Sequence, residues 1–318
     1  MAALEERPTV TVNRCDHCGS KQMSTALDAS PWTLMRCVSC DFVFTSPRLT
    51  DEALSQIYSD EYYENADVYA SQQVQPPSDD HLGLARHAGR RLRRRQGDLS
   101  SMDVGCGGGR LVEAFSTAGF AASGIEPSEG TVRAAQAAGR NVSTSDIAEL
   151  PDVAFDCVTA MHVLEHVSSP AEFTSQLFRI TRPDGLCIVE VPNFGSKAAR
   201  EQGAGWYALH PSTHLSHFTP GSLVNCMEKA GFNVRSLHRL GGAGVFAAVS
   251  EATAKKPTST SAEGRRKTGI TTRTLGLVWH ARSAVTTIPA ARRLVRWVNW
   301  ELLGQGEFVR VVATRPLR

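Results

Sequence analysis

The sequence predicts an α/β fold in which helices cover both faces of a doubly wound sheet. Apolar runs of strand length alternate with helical periodicities between residues 98 and 250, and this alternation is typical of parallel sheets. A glycine-rich turn at residues 105–109 joins the first of these strands to its helix. Acidic residues follow successive strands at the points where such sheets bind ligands. Together these observations predict a Rossmann-like core of seven strands.

The individual elements follow from apolar spacing and from helix and turn signals. The predicted strands are the one that ends at Asp103 and those at residues 121–125, 141–144, 155–161, 186–191, 232–240 and 307–314. The predicted helices are residues 51–63, 81–95, 111–118, 129–138, 170–180 and 222–230, and a turn is predicted at residues 182–185. We divide the chain into an N-terminal module at 1–50, a helical linker or cap at 51–97, a core at 98–250, a helical insertion at 251–304 and a final core strand at 305–318.

Composition and charge limit the classes of protein to which this chain can belong. Of its 318 residues, 42% are hydrophobic, which is sufficient for a large core. A net charge of +2 gives no reason to expect a nucleic-acid partner. The N-terminus lacks the apolar run of a signal peptide, and no stretch has the ~18 apolar residues of a membrane span. Scattered cysteines at positions 106, 157, 187 and 226 are typical of buried thiols, so we expect a reducing, cytoplasmic location.

Four cysteines near the N-terminus form two C-x2-C pairs separated by eighteen residues: Cys15, Cys18, Cys37 and Cys40. Two such pairs are typical of a structural zinc site, since four thiolates fill the tetrahedral shell of the ion. A filled shell leaves no position for a catalytic water. A module this small also needs the metal for its stability. We therefore predict a zinc ribbon that binds structural Zn²⁺, with a disulfide pair or a redox C-x2-C as the alternative.

The turn after the first core strand has the pattern D-x-G-x-G-x-G, from Asp103 to Gly109. Glycines let a backbone turn sharply and lie close to a ligand, and the following helix start supplies free N–H groups. A dinucleotide site is not indicated, because Arg110 stands where the third glycine of G-x-G-x-x-G belongs. A phosphate-cradling loop is not indicated either, because no Lys-Ser/Thr pair follows. The loop predicts a different nucleotide-like cofactor, with a plain glycine-rich surface turn as the alternative.

In this loop the chain resembles the class I S-adenosylmethionine-dependent methyltransferases, and L-E-H-V at 164–167 and V-P-N at 191–193 extend the resemblance. It implies a sheet whose last strand is antiparallel and a loop that lies under the methionine part of S-adenosylmethionine, where the Asp103 carboxylate suits the ammonium group. Glu126 would accept the ribose hydroxyls, close to the ~20-residue spacing that doubly wound folds use, and Asp146 and Ile147 would meet the adenine. The residues expected to bind the cofactor are Asp103, Gly105, Cys106, Gly107, Gly109, Glu126, Pro127, Asp146, Ile147, Met161 and His162.

The segment 203–220, here called the histidine loop, contains His210, His214 and His217 among aromatic residues. Metal binding is one interpretation, although no carboxylate accompanies the histidines and a proline interrupts the helix that would align them. Acid–base catalysis is a second, since histidine can take a proton from the methyl acceptor. Structural docking of the loop is the third. The motif H-L-x-H-F-T-P at 214–220 is similar to a family loop over the substrate pocket, and the expected catalytic residues are His214, then His210, and also His162.

For other residues, and for the function itself, more than one interpretation is open. Packing is the favoured role for His166, which follows His162 after the fourth strand. Tyr58, Tyr62, Tyr63 and Tyr69 either cap a pocket or pack ordinarily. The basic, amphipathic residues 277–303 form a peripheral membrane surface, a dimer contact, a lid or an internal packing surface. The favoured function is methyl transfer to an oxygen, nitrogen or carbon of a small metabolite; the rivals are an RNA base methyltransferase and a non-catalytic scaffold that binds the cofactor.

Overall fold

The computed structural model describes residues 7–57, 75–92, 98–241 and 306–317. In chain order its strands are β1 (Thr9–Val10), β2 (Met23–Ala29), β3 (Trp32–Cys37), β4 (Val43–Thr45), β5 (Arg48–Leu49), β6 (Ser100–Val104), β7 (Ala121–Ile125), β8 (Val142–Ser143), β9 (Phe155–Met161), β10 (Thr181–Pro192), β11 (Ser216–His217), β12 (Asn233–Leu240) and β13 (Phe308–Thr314). Its helices are α1 (Asp51–Ile57), α2 (Asp79–Leu92), α3 (Arg110–Thr117), α4 (Glu129–Ala137), α5 (Pro170–Ile180), α6 (Lys197–Gln202) and α7 (Pro220–Lys229).

Side chains at the helix starts explain why the core helices begin where they do. Ser128 caps α4 and Ser169 caps α5, each by accepting a hydrogen bond from a backbone N–H three residues further on. Thr219 caps α7 in the same way, and Pro220 occupies the first helical position, where a missing N–H costs nothing. Such caps are local sequence signals, and the helices begin close to the predicted positions.

The main sheet has seven strands in the order β12-β13-β10-β9-β6-β7-β8. Strand β6 pairs in parallel with β7 on one side and with β9 on the other, so the winding of the chain reverses at β6. Strand β13 is antiparallel to both β10 and β12. The predicted doubly wound, Rossmann-like sheet with an antiparallel last strand is therefore confirmed. The carboxyl ends of β6, β7 and β9 lie side by side at one edge, where a ligand binds in such sheets.

Successive residues of the central strands are buried in two different clusters, one on each face of the sheet. Cys157 and Ile188 pack with the apolar stripes of α2 and α3, whereas Val158 and Val189 pack with those of α5 and α7. This alternation follows from the two-residue period of a strand. Because both faces are covered, the strands are almost continuously apolar. The helix layers thereby fix the sheet whose edge carries the candidate site.

A smaller, four-stranded sheet joins the N-terminal module to the histidine loop. Its order is β11-β4-β3-β2, and β11 is contributed by the histidine loop. Just before β4, the ring of Phe42 packs edge-on against Phe218 with 5.4 Å between the ring centroids, and both side chains are buried. The second half of the histidine loop therefore contains the short strand β11 and is held by the N-terminal module.

One predicted turn differs from the structure, and two predictions fall outside the described residues. The turn predicted at 182–185 lies inside β10, where the register with β9 shifts between Thr181 and Leu186 and so accommodates the Pro-Asp-Gly segment. The four tyrosines at 58–69 and the helical insertion at 251–304, with its proposed membrane or dimer contact at 277–303, lie outside the described residues. In the described ranges, no helix combines the length and the apolar character that crossing a membrane requires.

Candidate functional site

The glycine loop turns sharply between β6 and α3. Gly105, Gly107 and Gly109 have φ angles of 70°, 51° and 75°, in the left-handed region that favours glycine. A Cβ atom on Gly105 would lie 2.5 Å from Cγ2 of Val163, so the loop and the segment after β9 are in close contact. The backbone N–H groups of Gly105 and Cys106 both donate to the carbonyl oxygen of Ile125. The loop is thus held against the ends of the two neighbouring strands.

Two buried carboxylates stand at the carboxyl ends of β6 and β7. Asp103 is 6% exposed and accepts a 2.6 Å hydrogen bond from the hydroxyl of Thr159. Glu126 is 7% exposed and accepts hydrogen bonds from the backbone N–H groups of Gly107, at 3.0 Å, and Ser128, at 3.2 Å. Burial raises the pKa of Asp103 to about 7, against the opposing effect of the Thr159 hydroxyl. Burial also raises the pKa of Glu126.

The surroundings of these two acids indicate what they can bind. Within residues 7–57, 75–92, 98–241 and 306–317, neither Asp103 nor Glu126 forms an ion pair with a lysine or arginine. Burying a carboxylate without a cation is unfavourable, so a ligand with a positive charge and hydroxyl groups would stabilise the pair. S-adenosylmethionine offers an ammonium group and two ribose hydroxyls. The donor set at the ends of β6 and β7 therefore fits this cofactor.

The residues expected to contact the adenine follow β8, the strand next to β7 at the same edge of the sheet. Asp146 follows β8 and caps a short 3₁₀ turn by accepting a 2.7 Å hydrogen bond from Ala148 N. Asp146 and Ile147 line a cavity of about 210 Å³ together with residues that precede and begin α5. Pro127 is exposed beside Glu126. An exposed carboxylate beside a half-buried isoleucine can contact an amino group and an aromatic ring, respectively.

His162 stands between two glutamates at the carboxyl end of β9, directly after Met161. Its φ of 57° is unusual for a residue with a side chain. Its Nε2 lies 3.1 Å from Glu190, which also forms a 2.6 Å ion pair with Arg310 of β13, and its Nδ1 lies 3.5 Å from Glu165. Burial lowers the pKa of His162, but the two glutamates outweigh it and raise the pKa to about 10. A cationic imidazole cannot accept a proton, so this geometry favours an electrostatic role over general-base catalysis.

The histidine loop separates its three histidines into two environments. His214 is buried, its ring lies 5.2 Å from that of His210 and 4.7 Å from that of His166, and its Nδ1 is 3.1 Å from the carbonyl oxygen of Ala208. Burial, followed by the charges of the neighbouring histidines, holds the pKa of His214 well below its ordinary value. His217 instead faces the N-terminal module. Its Nε2 lies 3.0 Å from the Thr45 hydroxyl, and burial lowers its pKa to about 3.

The four N-terminal cysteines come together as the spacing predicts. Their Sγ atoms all lie within 4.8 Å of one another, with 3.6 Å between Cys15 and Cys40 and 3.5 Å between Cys18 and Cys37. Zinc–sulfur bonds of about 2.3 Å give sulfur–sulfur edges of about 3.8 Å in a tetrahedron, whereas a disulfide requires about 2.05 Å. All four cysteines are free. The donor set therefore fits a tetrahedral metal ion.

A protein-family model matches the part of the chain that carries this site. Residues 81–237 match the family model described as a methyltransferase domain. The chain carries a domain of the methyltransferase family. The match runs from α2 into β12 and includes the glycine loop, both buried carboxylates and the histidine loop. The resemblance to class I S-adenosylmethionine-dependent methyltransferases is confirmed for this domain.

Curated relatives and a solved structure agree with the family. Over 126 residues the chain is 35% identical to the ubiquinone biosynthesis O-methyltransferase of Paracidovorax citrulli, a region that covers 36% of this chain and 49% of that protein. Over 174 residues it is 28% identical to the protein of the same name from Maricaulis maris, covering 49% of this chain and 65% of that protein. The chain thus spans about half to two thirds of these relatives' lengths.

The solved structure is that of phosphoethanolamine N-methyltransferase 2 from Haemonchus contortus in complex with S-adenosyl-L-methionine. It matches with a TM-score of 0.50 and 13% identity, and the match covers 87% of this chain and 64% of that chain. At this level of identity the likeness concerns the fold alone. It agrees with the topology of the seven-stranded sheet of the methyltransferase domain.

Sequence reasoning missed several residues that shape the site. Thr159 contacts Asp103 from the neighbouring strand, and Glu190 and Arg310 form the ion pair that supports His162. Glu165 entered the sequence analysis only as part of the L-E-H-V motif at 164–167, yet its buried carboxylate faces the histidine loop. A charged residue within an otherwise apolar strand, as Glu190 is in β10, was the available signal, because such residues are rarely buried unless they are paired.

Proposed function

We propose that this protein transfers a methyl group from S-adenosylmethionine to an oxygen atom of a small molecule. The observation that carries the proposal is the pair of buried carboxylates, Asp103 and Glu126, which lack a cationic partner in the described part of the methyltransferase domain. Their positions at the ends of adjacent parallel strands suit the two ends of one cofactor. The oxygen acceptor is suggested by the relatives named as O-methyltransferases.

The residues proposed to hold the cofactor surround these two acids. Asp103 would bind the ammonium group, Glu126 the ribose hydroxyls, and Asp146 with Ile147 the adenine. When bound, S-adenosylmethionine supplies an activated methyl group on a positively charged sulfur. The remaining residues proposed to line the cofactor are Gly105, Cys106, Gly107, Gly109, Pro127, Met161 and His162.

On the protein's side, the reaction needs positioning of the acceptor, exclusion of water and removal of one proton. The histidine loop is the proposed cover, because β11 and Phe218 fix its second half against the N-terminal module. His214 and His210 are the proposed proton acceptors. The substitutions His214→Asn and His210→Asn distinguish the two candidates. Replacing the histidine that accepts the proton should lower kcat with little change in the Kd for the cofactor.

The test of the proposed function is transfer of a labelled methyl group from S-adenosylmethionine into separate pools of hydroxylated small molecules and of RNA. Label in the small-molecule pool, lost with Asp103→Asn, is the expected result. Label in the RNA pool, abolished by nuclease, would replace the small-molecule proposal with RNA base methylation. Cofactor binding without transfer into either pool would point to a scaffold and overturn the proposed reaction.

We also propose that Cys15, Cys18, Cys37 and Cys40 bind a structural Zn²⁺ ion. The sulfur–sulfur distances support this proposal, and so does the small core that the module can bury by itself. The ion would stabilise strands β2 to β4, to which the histidine loop is paired. Elemental analysis should find zinc with the purified protein, and a chelator should lower the Tm. Metal-free protein with an unchanged Tm would contradict the assignment.

A further inference from the structure

A buried arginine connects the N-terminal module to the cavity in which the adenine is proposed to bind. Nη1 of Arg48 forms a 2.6 Å ion pair with Asp16, which lies between two of the four N-terminal cysteines. Nη2 of the same side chain donates a 3.1 Å hydrogen bond to the carbonyl oxygen of Ser168, and Ser168 lines the cavity together with Asp146 and Ile147. We infer that Arg48 is a positioning residue for the adenine end of S-adenosylmethionine. The inference deepens the proposed function and rests on it, because it requires the adenine to occupy this cavity.

The burial of this ion pair is the first argument for a positioning role. The side chains of Arg48 and Asp16 are 9% and 17% exposed. By contrast, Arg36 and Asp41, which pair on the surface of the same module, are 38% and 70% exposed. Exposed pairs contribute little to stability, whereas removing one partner of a buried pair leaves an uncompensated charge. The guanidinium of Arg48 is therefore held in one position by Asp16.

The backbone fixes both members of the pair, which is the second argument. Arg48 belongs to β5 and is paired with Val10 of the antiparallel strand β1. Asp16 lies in a turn that is closed by a 2.8 Å hydrogen bond from the N–H group of Gly19 to the carbonyl oxygen of Cys15. The Arg48 side chain thus reaches the methyltransferase domain from a hydrogen-bonded part of the N-terminal module.

A second arginine holds another part of the cavity wall. Nη2 of Arg179, on α5, donates a 2.8 Å hydrogen bond to the carbonyl oxygen of Ile147. The segment that Arg48 holds, at Ser168, directly precedes Ser169, the residue that caps α5. Each of the two wall segments is thus attached to an arginine through a backbone carbonyl oxygen. Their relative position, and with it the shape of the cavity, depends on both attachments.

The contacts of Arg48 place its effect at one end of the cofactor. A guanidinium donates from two Nη groups in a fixed plane, so it can bind a carboxylate and a carbonyl oxygen at the same time. These two acceptors belong to Asp16 and Ser168, whereas the buried carboxylates Asp103 and Glu126 follow other strands. Loss of Arg48 should therefore weaken any ligand that contains the adenine, with or without the methionine part.

Calorimetric titration of the full-length protein with S-adenosylmethionine and with adenosine tests this assignment. Arg48→Met should weaken both ligands by the same factor, about tenfold, which is the scale on which residues outside a binding site modulate affinity. Asp103→Asn should weaken S-adenosylmethionine but not adenosine, because adenosine has no ammonium group. Arg36→Met, which removes the exposed ion pair with Asp41, is the matched control and should change neither affinity.

A loss of stability alone would not give this pattern, because a destabilised protein keeps its affinity well below its Tm. If the unpaired charge of Asp16 prevents Arg48→Met from folding, the double variant Asp16→Asn/Arg48→Met removes both charges and should show the same loss for both ligands. Unchanged adenosine affinity in the folded variant would overturn the inference and leave the proposed function standing. So would an equal loss in Arg36→Met. Wild-type protein that bound neither ligand would contradict the proposed function, and the inference with it.

Discussion

The hydroxyl of Thr159 donates a 2.6 Å hydrogen bond to the buried carboxyl group of Asp103. This contact joins β9 to β6 at the edge where the sheet reverses its winding, two residues before Gly105. It supplies one hydrogen bond to a carboxylate that has no cation beside it in the described residues. The negative charge of Asp103 is therefore only partly stabilised. A ligand with a positive charge would complete its environment.

Replacing Asp103 should therefore affect binding and stability in opposite directions. Asp103→Asn retains an oxygen that can accept from Thr159 but removes the charge, so affinity for S-adenosylmethionine should fall by roughly ten- to a hundredfold. The cofactor-free variant should be more stable at pH 8, by on the order of 1–3 kcal/mol, because a buried, uncompensated charge is removed. Calorimetric titration and thermal unfolding measure the two effects. Unchanged affinity would remove Asp103 from the proposed cofactor site.

The raised pKa of Asp103, about 7, predicts how cofactor binding depends on pH. The ionised carboxylate is the form that attracts an ammonium group. Affinity for S-adenosylmethionine should thus rise with pH up to about 7 and change by up to about tenfold per pH unit below it. The contribution of Asp103 to the stability of the cofactor-free protein should change in the other sense. Because the folded-state pKa exceeds the unfolded value, the contribution of Asp103 to stability falls as pH rises from about 4 to 7 and levels off above; it is obtained as the difference between wild type and Asp103→Asn.

Titration calorimetry between pH 5.5 and 7.5, at constant ionic strength, measures this dependence. Asp103→Asn is the control and should bind weakly with a flatter profile over the same range. Wild-type affinity that does not vary across these pH values would show that Asp103 remains ionised, and would contradict the assigned effect of burial.

The parts of the fold that the sequence predicted are those specified by local patterns. Strand β9 coincides with its predicted range because an apolar, β-branched run follows Asp156 directly. The glycine loop could be identified because its three positive-φ positions all carry glycine. The turn at 182–185 was placed by local signals too; strand β10 continues through it, but its pairing with β9 shifts register between Thr181 and Leu186, and its pairing with β13 begins only at Leu186.

The features that could not be predicted depend on contacts between distant segments. Among the three histidines of the loop, sequence reasoning found no accompanying carboxylate, because the nearby carboxylate belongs to Glu165, in the segment after β9. His217 was not among the expected catalytic residues, but its partner Thr45 could be identified only from the pairing of β11 with β4. Spacing along the chain carries no information about such pairings.

Gly105 provides a test of the close contact between the glycine loop and the segment after β9. Gly105→Ala should lose stability through left-handed backbone strain and through a Cβ atom 2.5 Å from Val163, and it should weaken cofactor binding by displacing the loop. Gly139→Ala is the matched control, since its φ of 79° is similar but its Cβ would meet nothing within 4 Å. Thermal unfolding and calorimetry compare the two variants.

The control should lose about 1 kcal/mol, from backbone strain alone, and keep its cofactor affinity. Gly105→Ala should lose clearly more, and adding Val163→Ala should recover part of the difference because the clashing methyl is removed. Equal losses in the two alanine variants would mean that the contact with Val163 is easily relieved.

The hydrogen bond between Thr45 and His217 predicts that the N-terminal module controls the histidine loop. The Thr45 hydroxyl is fully buried and contacts both His217 Nε2, at 3.0 Å, and the carbonyl oxygen of His214, at 3.2 Å. Thr45→Val keeps the side-chain shape but leaves His217 without this partner, so unfolding should become easier by about 1–3 kcal/mol. Because the change acts on the loop, kcat/KM for the methyl acceptor should fall while cofactor affinity is retained.

Thr25→Val is the matched control, because Thr25 lies exposed on β2 of the same sheet and should change stability by less than about 0.5 kcal/mol. Thermal unfolding, cofactor titration and steady-state kinetics on both variants separate the outcomes. An equal loss of cofactor affinity and of kcat/KM in Thr45→Val would place the effect at the glycine loop, and the module would then act on the whole domain. A loss confined to kcat/KM follows only if the module positions the histidine loop, because β4 pairs with that loop through β11 and forms no strand pair with β6 or β7.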